Sequence, residues 1–175
     1  SVPLPDKINT LLSTHQPIVI LHPGSNGHGR EWPMDHYCEL AKQLNDINIQ
    51  VVLSGSKAEG IRFTPLIKGC TFAINTFGKL SIKQLMVMIS RSSLLLGAGT
   101  GPVHIAAALE IKTIGLFPPR KGISARRWSP PRKKDKTLMH QRKKACFSCR
   151  DSLGCECMVK ISVEQVKLAI SNFKL

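Results

Sequence analysis

Apolar positions along the chain alternate between short β-branched runs and faces of helical period. Ile18 to His22 (IVILH) follows Pro17 as a buried strand should. Pro33 then opens a helix whose Tyr37, Leu40, Ala41 and Leu44 fall on one face. Ile49 to Leu53 is the next strand, and a helix is expected over Lys57 to Ile67, weakened by Gly60 and Pro65. Phe72 to Asn75 reads as a short strand. Ser81 and Gln84 form a capping box ahead of an apolar face of Ile82, Leu85, Met86 and Ile89. Leu94 to Leu96 and Thr113 to Phe117 are further strands, separated by a helix from about Pro102 to Leu109. A last helix starts at Ser162, boxed by Gln165, and buries Val163, Val166, Ile170 and Phe173.

Repeated strand–helix units with continuously apolar strands predict one α/β, Rossmann-like domain with a parallel sheet covered on both faces. Ligands of such sheets bind beyond the carboxyl ends of the strands. Attention therefore falls on the loops after Leu21, Leu53, Leu96 and Phe117.

The loop HPGSNGHGREWP runs from His22 to Pro33. Its glycines allow close backbone approach, Ser25, Asn26, His28 and Arg30 supply polar groups, and it leads into a helix N-terminus. The alternative is a plain strand–helix connection; Arg30 beside Trp32-Pro33 favours phosphate. In GAGTGPVHIAAALEI, Gly101 and Pro102 suit the N-cap and N1 positions. Backbone N–H groups of Gly101, Val103 and His104, with the Thr100 hydroxyl, then face a pyrophosphate. Ala106, Ala107 and Ala108 let that helix pack against the sheet, while His104 serves either the ligand or the core. The loop SGSKAEG places Ser54, Ser56 and Glu59 at a strand end, where a ribose could bind; a solvated helix start is the plainer reading.

At 175 residues, 42% of them hydrophobic, the chain suits one domain over 1–175 and excludes global disorder. No apolar run reaches the roughly 20 residues of a membrane-spanning helix. The opening SVPLPDKINTLLSTHQP lacks the basic and apolar regions of a secretory signal, which suggests a cytoplasmic location. A start at Ser1 rather than Met fits an excised fragment or a tag scar.

Most of the formal charge of +14 comes from Arg120, Lys121, Arg126, Arg127, Arg132, Lys133, Lys134, Lys136, Arg142, Lys143 and Lys144, opposed only by Asp135. With Pro130-Pro131 and no periodicity, residues 118–145 read as a basic loop. It is either a solvated loop or a contact for an anionic acceptor or membrane face; nucleic acid ranks last because only Trp128 and Phe147 could act as stacking platforms. Cys38 and Cys70 each stand alone and read as small core residues. Cys146, Cys149, Cys155 and Cys157 crowd into segment 146–157. Four thiolates could close on zinc; a reduced Cys-rich hairpin and a disulfide are the alternatives.

HPGSNGHGREWPMDHYCELAKQL, VVLSGSKAEG and LLLGAGTGPVHIAAALEIKTIGLF, with the closing CFSCRDSLGCECMVKISVEQV, together resemble the C-terminal, donor-binding domain of the ADP-heptose:lipopolysaccharide heptosyltransferases (glycosyltransferase family 9). The resemblance covers the chain from about Ile18 onward. It implies the C-terminal half of a two-Rossmann-domain (GT-B) inverting transferase. The donor would be a nucleotide-diphosphate sugar, ADP-heptose or similar, and the acceptor a lipopolysaccharide core or other lipid-linked cell-envelope saccharide. It further implies work at the cytoplasmic face of the inner membrane and needs no cofactor.

By position, Arg30 matches a basic residue that contacts donor phosphate, and Thr100, Gly101 and His104 match the phosphate turn. Glu59 matches an acid near the ribose. Ser25, Asn26, Ser54 and Pro102 complete the expected donor site. Gly99 departs from the family, which carries Asp there to hold sugar hydroxyls, so the sugar need not be heptose. The family's acceptor domain, with its catalytic base, has no counterpart in this sequence. No catalytic residue is therefore expected here, and the chain alone should bind a donor without turning it over. The rival expectation is a degenerate module that docks on anionic membrane or nucleic acid.

Overall fold

The computed structural model describes residues 2–12, 15–27, 29–130, 137–141 and 155–175. Six parallel strands form one sheet: β1 (Ile18–His22), β2 (Gln50–Leu53), β3 (Ala73–Asn75), β4 (Leu94–Ala98), β5 (Lys112–Phe117) and β6 (Thr137–Gln141). Their order is β3-β2-β1-β4-β5-β6, that of the doubly wound nucleotide-binding fold. The order reverses between β1 and β4, where Val19 pairs with Leu94 and His22 with Gly97.

The helices are α1 (Asp6–Leu11), α2 (Met34–Asn45), α3 (Lys57–Ile67), α4 (Ile82–Ser90), α5 (Gly101–Ala108), α6 (Ala125–Trp128), α7 (Glu156–Val159) and α8 (Val163–Ser171). They cover the sheet on both faces because successive strand residues point to opposite sides. Val19, Leu21, Val51, Leu53, Leu94 and Leu96 pack into one core with Tyr37 and Leu40 of α2 and Val166 and Ile170 of α8. Ile18, Ile20, Val52 and Leu95 pack into the other with Ile8 of α1, Met88 and Ile89 of α4, and Val103 and Ala106 of α5. This double burial is why the strands read as unbroken apolar runs.

Local chemistry sets the helix starts. Ser56, Ser81 and Ser162 each accept from the backbone N–H three residues on, while Glu59, Gln84 and Gln165 return the bond. Pro65 sits inside α3 without ending it. Trp32 is 1% exposed just before α2, and its indole N–H donates to the Ile161 carbonyl at 2.8 Å. That bond ties the start of α2 to the C-terminal segment.

Several expectations change. The basic stretch 118–145 is not one loop: α6 and the edge strand β6, paired to β5 from Thr113↔Thr137 to Phe117↔Gln141, lie within it. Charged neighbours hide the strand, which is specified by pairing rather than by its own pattern. Residues 131–136 and 142–145 of that stretch lie outside the described residues. α4 turns Met88 and Ile89 inward and leaves Ile82 and Met86 largely exposed, because the facing helix and strands fix its rotation. In α5 only Ala106 of the three alanines is buried; Ala108 is exposed.

Cys70 lies in the first core and Cys38 packs against it, as expected of small core residues. The Cys38 thiol donates to the Leu66 carbonyl at 3.8 Å, and the two neighbouring thiols act on each other, the contact raising the Cys38 pKa and lowering that of Cys70. Cys155 and Cys157 are buried in the first core with Met158 and Ile161. Cys146, Cys149 and Phe147 fall outside the described residues, so only two of the four expected zinc thiolates, Cys155 and Cys157, lie within them. Among the described residues no helix is long and apolar enough to cross a membrane.

Candidate functional site

Because β1 and β4 feed loops in opposite directions, a crevice opens past their carboxyl ends. There lies a cleft of about 600 Å³, lined by residues from the loops after β1, β4 and β5 and by Glu59 of α3. Ser25, Asn26, Arg30, Glu59, Thr100, Gly101, Pro102 and His104 all line it. Ser54 does not. It is 1% exposed behind the wall, and its hydroxyl lies 2.9 Å from His22 Nδ1. His28 lies outside the described residues.

The loop after β1 is held by two carboxylates. Glu31 Oε1 accepts from the Ser25 N–H (2.8 Å) and hydroxyl (3.0 Å), and Arg62 grips Glu31 with two nitrogens at 2.7 and 2.8 Å. Glu59 Oε1 accepts from the Asn26 N–H at 3.1 Å, while Oε2 accepts from the Ser56 N–H at 2.8 Å. Asn26 and Gly27 take positive φ, 47° and 77°, so the chain reverses sharply between these anchors. The amide donors of Ser25 and Asn26 therefore serve the loop itself. Arg30, 9% exposed, is the loop's cation at the cleft.

Lys57 and Ala58 at the start of α3 are exposed, as expected of a solvated helix start, but Glu59 is turned inward and is 4% exposed. Burial by itself would raise its pKa; hydrogen bonds from Ser56 and Asn26, with His22 nearby, outweigh that and hold it below the usual carboxylate value. His22 behaves oppositely. Burial lowers its pKa to about 4 against the pull of Glu59 and Glu31, so the imidazole is neutral at pH 7.

On the opposite wall, α5 begins one residue earlier than expected: Thr100 is the N-cap, Gly101 opens the helix and Pro102 follows. The Thr100 side chain caps nothing, since its hydroxyl donates to the Ala98 carbonyl at 3.3 Å. The Val103 N–H returns to the Thr100 carbonyl at 3.1 Å, which removes it from the expected anion donors. Pro102 has no N–H, and His104 is the fourth residue of α5, the first whose N–H an α-helix pairs internally, so Gly101 holds the remaining first-turn amide at the cleft. His104 is half-buried and lines the cleft rather than the core.

The sequence reading did not single out His22, Glu31, Phe117 or Ile123. Position at the end of β1 was the available signal for His22. Nothing in periodicity points to Glu31, a loop residue whose partner Arg62 lies on α3. Arg30 and the opening turn of α5 both line this switch-point cleft.

The fold is a doubly wound, Rossmann-like α/β domain with a cleft at its switch point. The chain belongs to glycosyltransferase family 9 (heptosyltransferase), whose model matches residues 5–156. It is 30% identical over 114 residues to lipopolysaccharide heptosyltransferase 2 of Salmonella typhimurium, a match that takes in 62% of this chain and 33% of that protein. A putative glycosyltransferase of Haemophilus influenzae is 27% identical over 134 residues, covering 74% of this chain and 38% of its own length. Among solved structures, E. coli ADP-heptose LPS heptosyltransferase II superposes with a TM-score of 0.74 at 20% identity, over 99% of this chain and 53% of its own. E. coli heptosyltransferase WaaC with ADP gives 0.72 at 17% identity, over 92% and 45%. These likenesses establish the α/β fold of the GT-B heptosyltransferases. The chain spans about a third of the length of the curated relative from Salmonella. Neither the cleft nor the family match supports the docking-module alternative.

Proposed function

We propose that this chain is the donor-binding half of a glycosyltransferase. It would hold a nucleotide-diphosphate sugar for transfer to a lipopolysaccharide core or another cell-envelope saccharide. The observation that carries the reading is the pairing of Arg30 with the opening turn of α5 across the crevice between β1 and β4.

In this role Arg30, the Gly101 amide and the His104 side chain bind the diphosphate. As the sugar–phosphate bond breaks, negative charge grows on the leaving diphosphate, and these groups stabilise it. The Thr100 hydroxyl adds a donor once it leaves the Ala98 carbonyl. Glu59 holds the nucleoside side of the cleft: its oxygens fix Asn26 and Ser56, and its edge faces the ribose. Ser25, Asn26, Pro102 and, from behind His22, Ser54 shape the same seat. The acceptor and the base that activates it belong to an N-terminal domain. Exposed Lys121, Arg126 and Arg127 sit near the cleft's β5 side and suit a phosphorylated acceptor or an anionic inner leaflet.

Calorimetric titration of the purified chain with ADP, UDP and GDP at moderate salt tests this reading. One nucleotide, ADP by likeness to the heptosyltransferases, should bind selectively. Arg30→Ala should weaken it roughly ten- to hundredfold, the range of a charge-assisted hydrogen bond. Binding of none of the three, or affinity unchanged by Arg30→Ala, overturns it.

A further inference from the structure

The polar groups of the cleft gather on the β1 and β4 walls, and the β5 wall is of another character. Phe117, Pro118, Ile123 and Trp128 line it, together with the bare backbone of Gly99. A Cβ built on Gly99 would overlap the Phe117 ring at Cε1. That ring, 1% exposed, thus fills the space into which any side chain at position 99 would project. Pro118 has no N–H to offer. The Trp128 indole N–H donates to the Gly122 carbonyl at 2.6 Å, so the half-exposed ring brings its carbon surface and no unused donor. The same bond ties α6 to the loop that carries Ile123. The buried Phe117 ring therefore backs this wall, and Pro118, Ile123 and Trp128 present apolar surface to whatever the diphosphate carries.

We propose that the β5 wall is the seat of the donor's sugar and selects it by an apolar face, with Phe117 and Trp128 as specificity-determining residues. The inference rests on the nucleotide-sugar reading above and names its substrate class: a sugar that turns a hydroxyl-poor edge, such as a deoxygenated carbon, toward β5. A hydroxyl pressed against this wall would lose its water without gaining a partner, whereas C–H groups pack well on aromatic rings. Gly99 belongs to the same device. A carboxylate at that position, which would hold hydroxyls, cannot coexist with the ring where it now lies.

The test is calorimetric titration of the whole chain with ADP, ADP-glucose and the monodeoxy derivatives of ADP-glucose. At least one deoxy derivative should bind fivefold or more tighter than ADP-glucose. Trp128→Ala, at an exposed ring, and the conservative Phe117→Leu should each reduce that preference below twofold while ADP affinity stays within twofold of the starting protein. No deoxy preference, or a preference that survives in both variants, overturns the proposal while ADP binding still upholds the donor reading. Failure of ADP itself to bind overturns both. Gly99→Asp adds a check from the other side: it should abolish the preference by displacing the ring, and a variant that keeps it contradicts the role given to Phe117.

Discussion

The Glu59 carboxylate packs directly on Gly24, so closely that a Cβ on Gly24 would overlap Oε1. The contact binds the loop after β1 to the start of α3, and it explains a glycine that has no unusual φ. Gly24→Ala must push Glu59 out of its bonds with Asn26 and Ser56. We expect a loss of about 1–3 kcal/mol in urea unfolding, the usual cost of overpacking. Stability within 0.5 kcal/mol, on the order of ordinary surface substitutions, would show that the loop yields freely.

Arg62 faces Glu31, whose side chain is 7% exposed and also holds Ser25. Arg62→Ala leaves that buried carboxylate without its counter-charge. A fully buried pair broken in this way costs about 3–5 kcal/mol; with Arg62 itself 36% exposed, about 1–3 kcal/mol is expected. The exposed pair Lys160–Glu156, at 3.5 Å, is the control, and Lys160→Ala should change stability by less than about 0.5 kcal/mol. Equal effects at the two sites would contradict the role of Glu31 as the loop's anchor.

His22 makes stability depend on pH. Its folded pKa is lowered to about 4 by burial, against 6.5 in the unfolded chain. The unfolded state therefore takes up a proton first as pH falls. The stabilisation is complete above pH 6.5 and drains away between 6.5 and about 4. From pH 7.5 to pH 5 the expected loss is about 2 kcal/mol, read as a drop in the urea midpoint. In His22→Asn, which keeps a polar group beside Ser54, that slope should flatten; an unchanged slope would assign the pH dependence elsewhere.

Tyr37 is fully buried with its ring edge-on to Trp32, centroids 4.8 Å apart, and among the described residues its hydroxyl finds no hydrogen-bond partner. Leaving a hydroxyl unmatched costs about 1–3 kcal/mol, so Tyr37→Phe should be neutral or stabilise by up to about 1 kcal/mol. Thermal denaturation checks this, and a clear fall in Tm would reveal a bond from that hydroxyl.

What could be read from the chain and what could not divide along the range of the interactions. Strands β1, β2, β4 and β5 and helices α3, α4 and α8 stand within a residue or two of their expected places, because burial on both faces writes continuous apolar runs and the capping boxes that announce α4 and α8 span only four positions. The loops past the strand ends were legible for the same reason: glycines, a cation and a helix start lie together in the sequence. β6 was not, since an edge strand amid lysines is specified by pairing to β5. The pairing of Cys38 with Cys70, the facing of Glu31 by Arg62 and the rotation of α4 were equally silent, each joining positions separated along the chain.

The sequence by itself determined that this is a parallel α/β domain with glycine-rich loops past its strand ends, because period and capping are local properties of the chain. Only the tertiary structure decided which donors remain for a ligand and what the sugar would meet. It turned the amides of Ser25 and Asn26 toward Glu31 and Glu59, placed Ser54 behind His22, and laid the Phe117 ring over Gly99. Those outcomes depend on which side chains three-dimensional packing brings within a few ångströms, and hydrogen bonding and overlap act only at that distance.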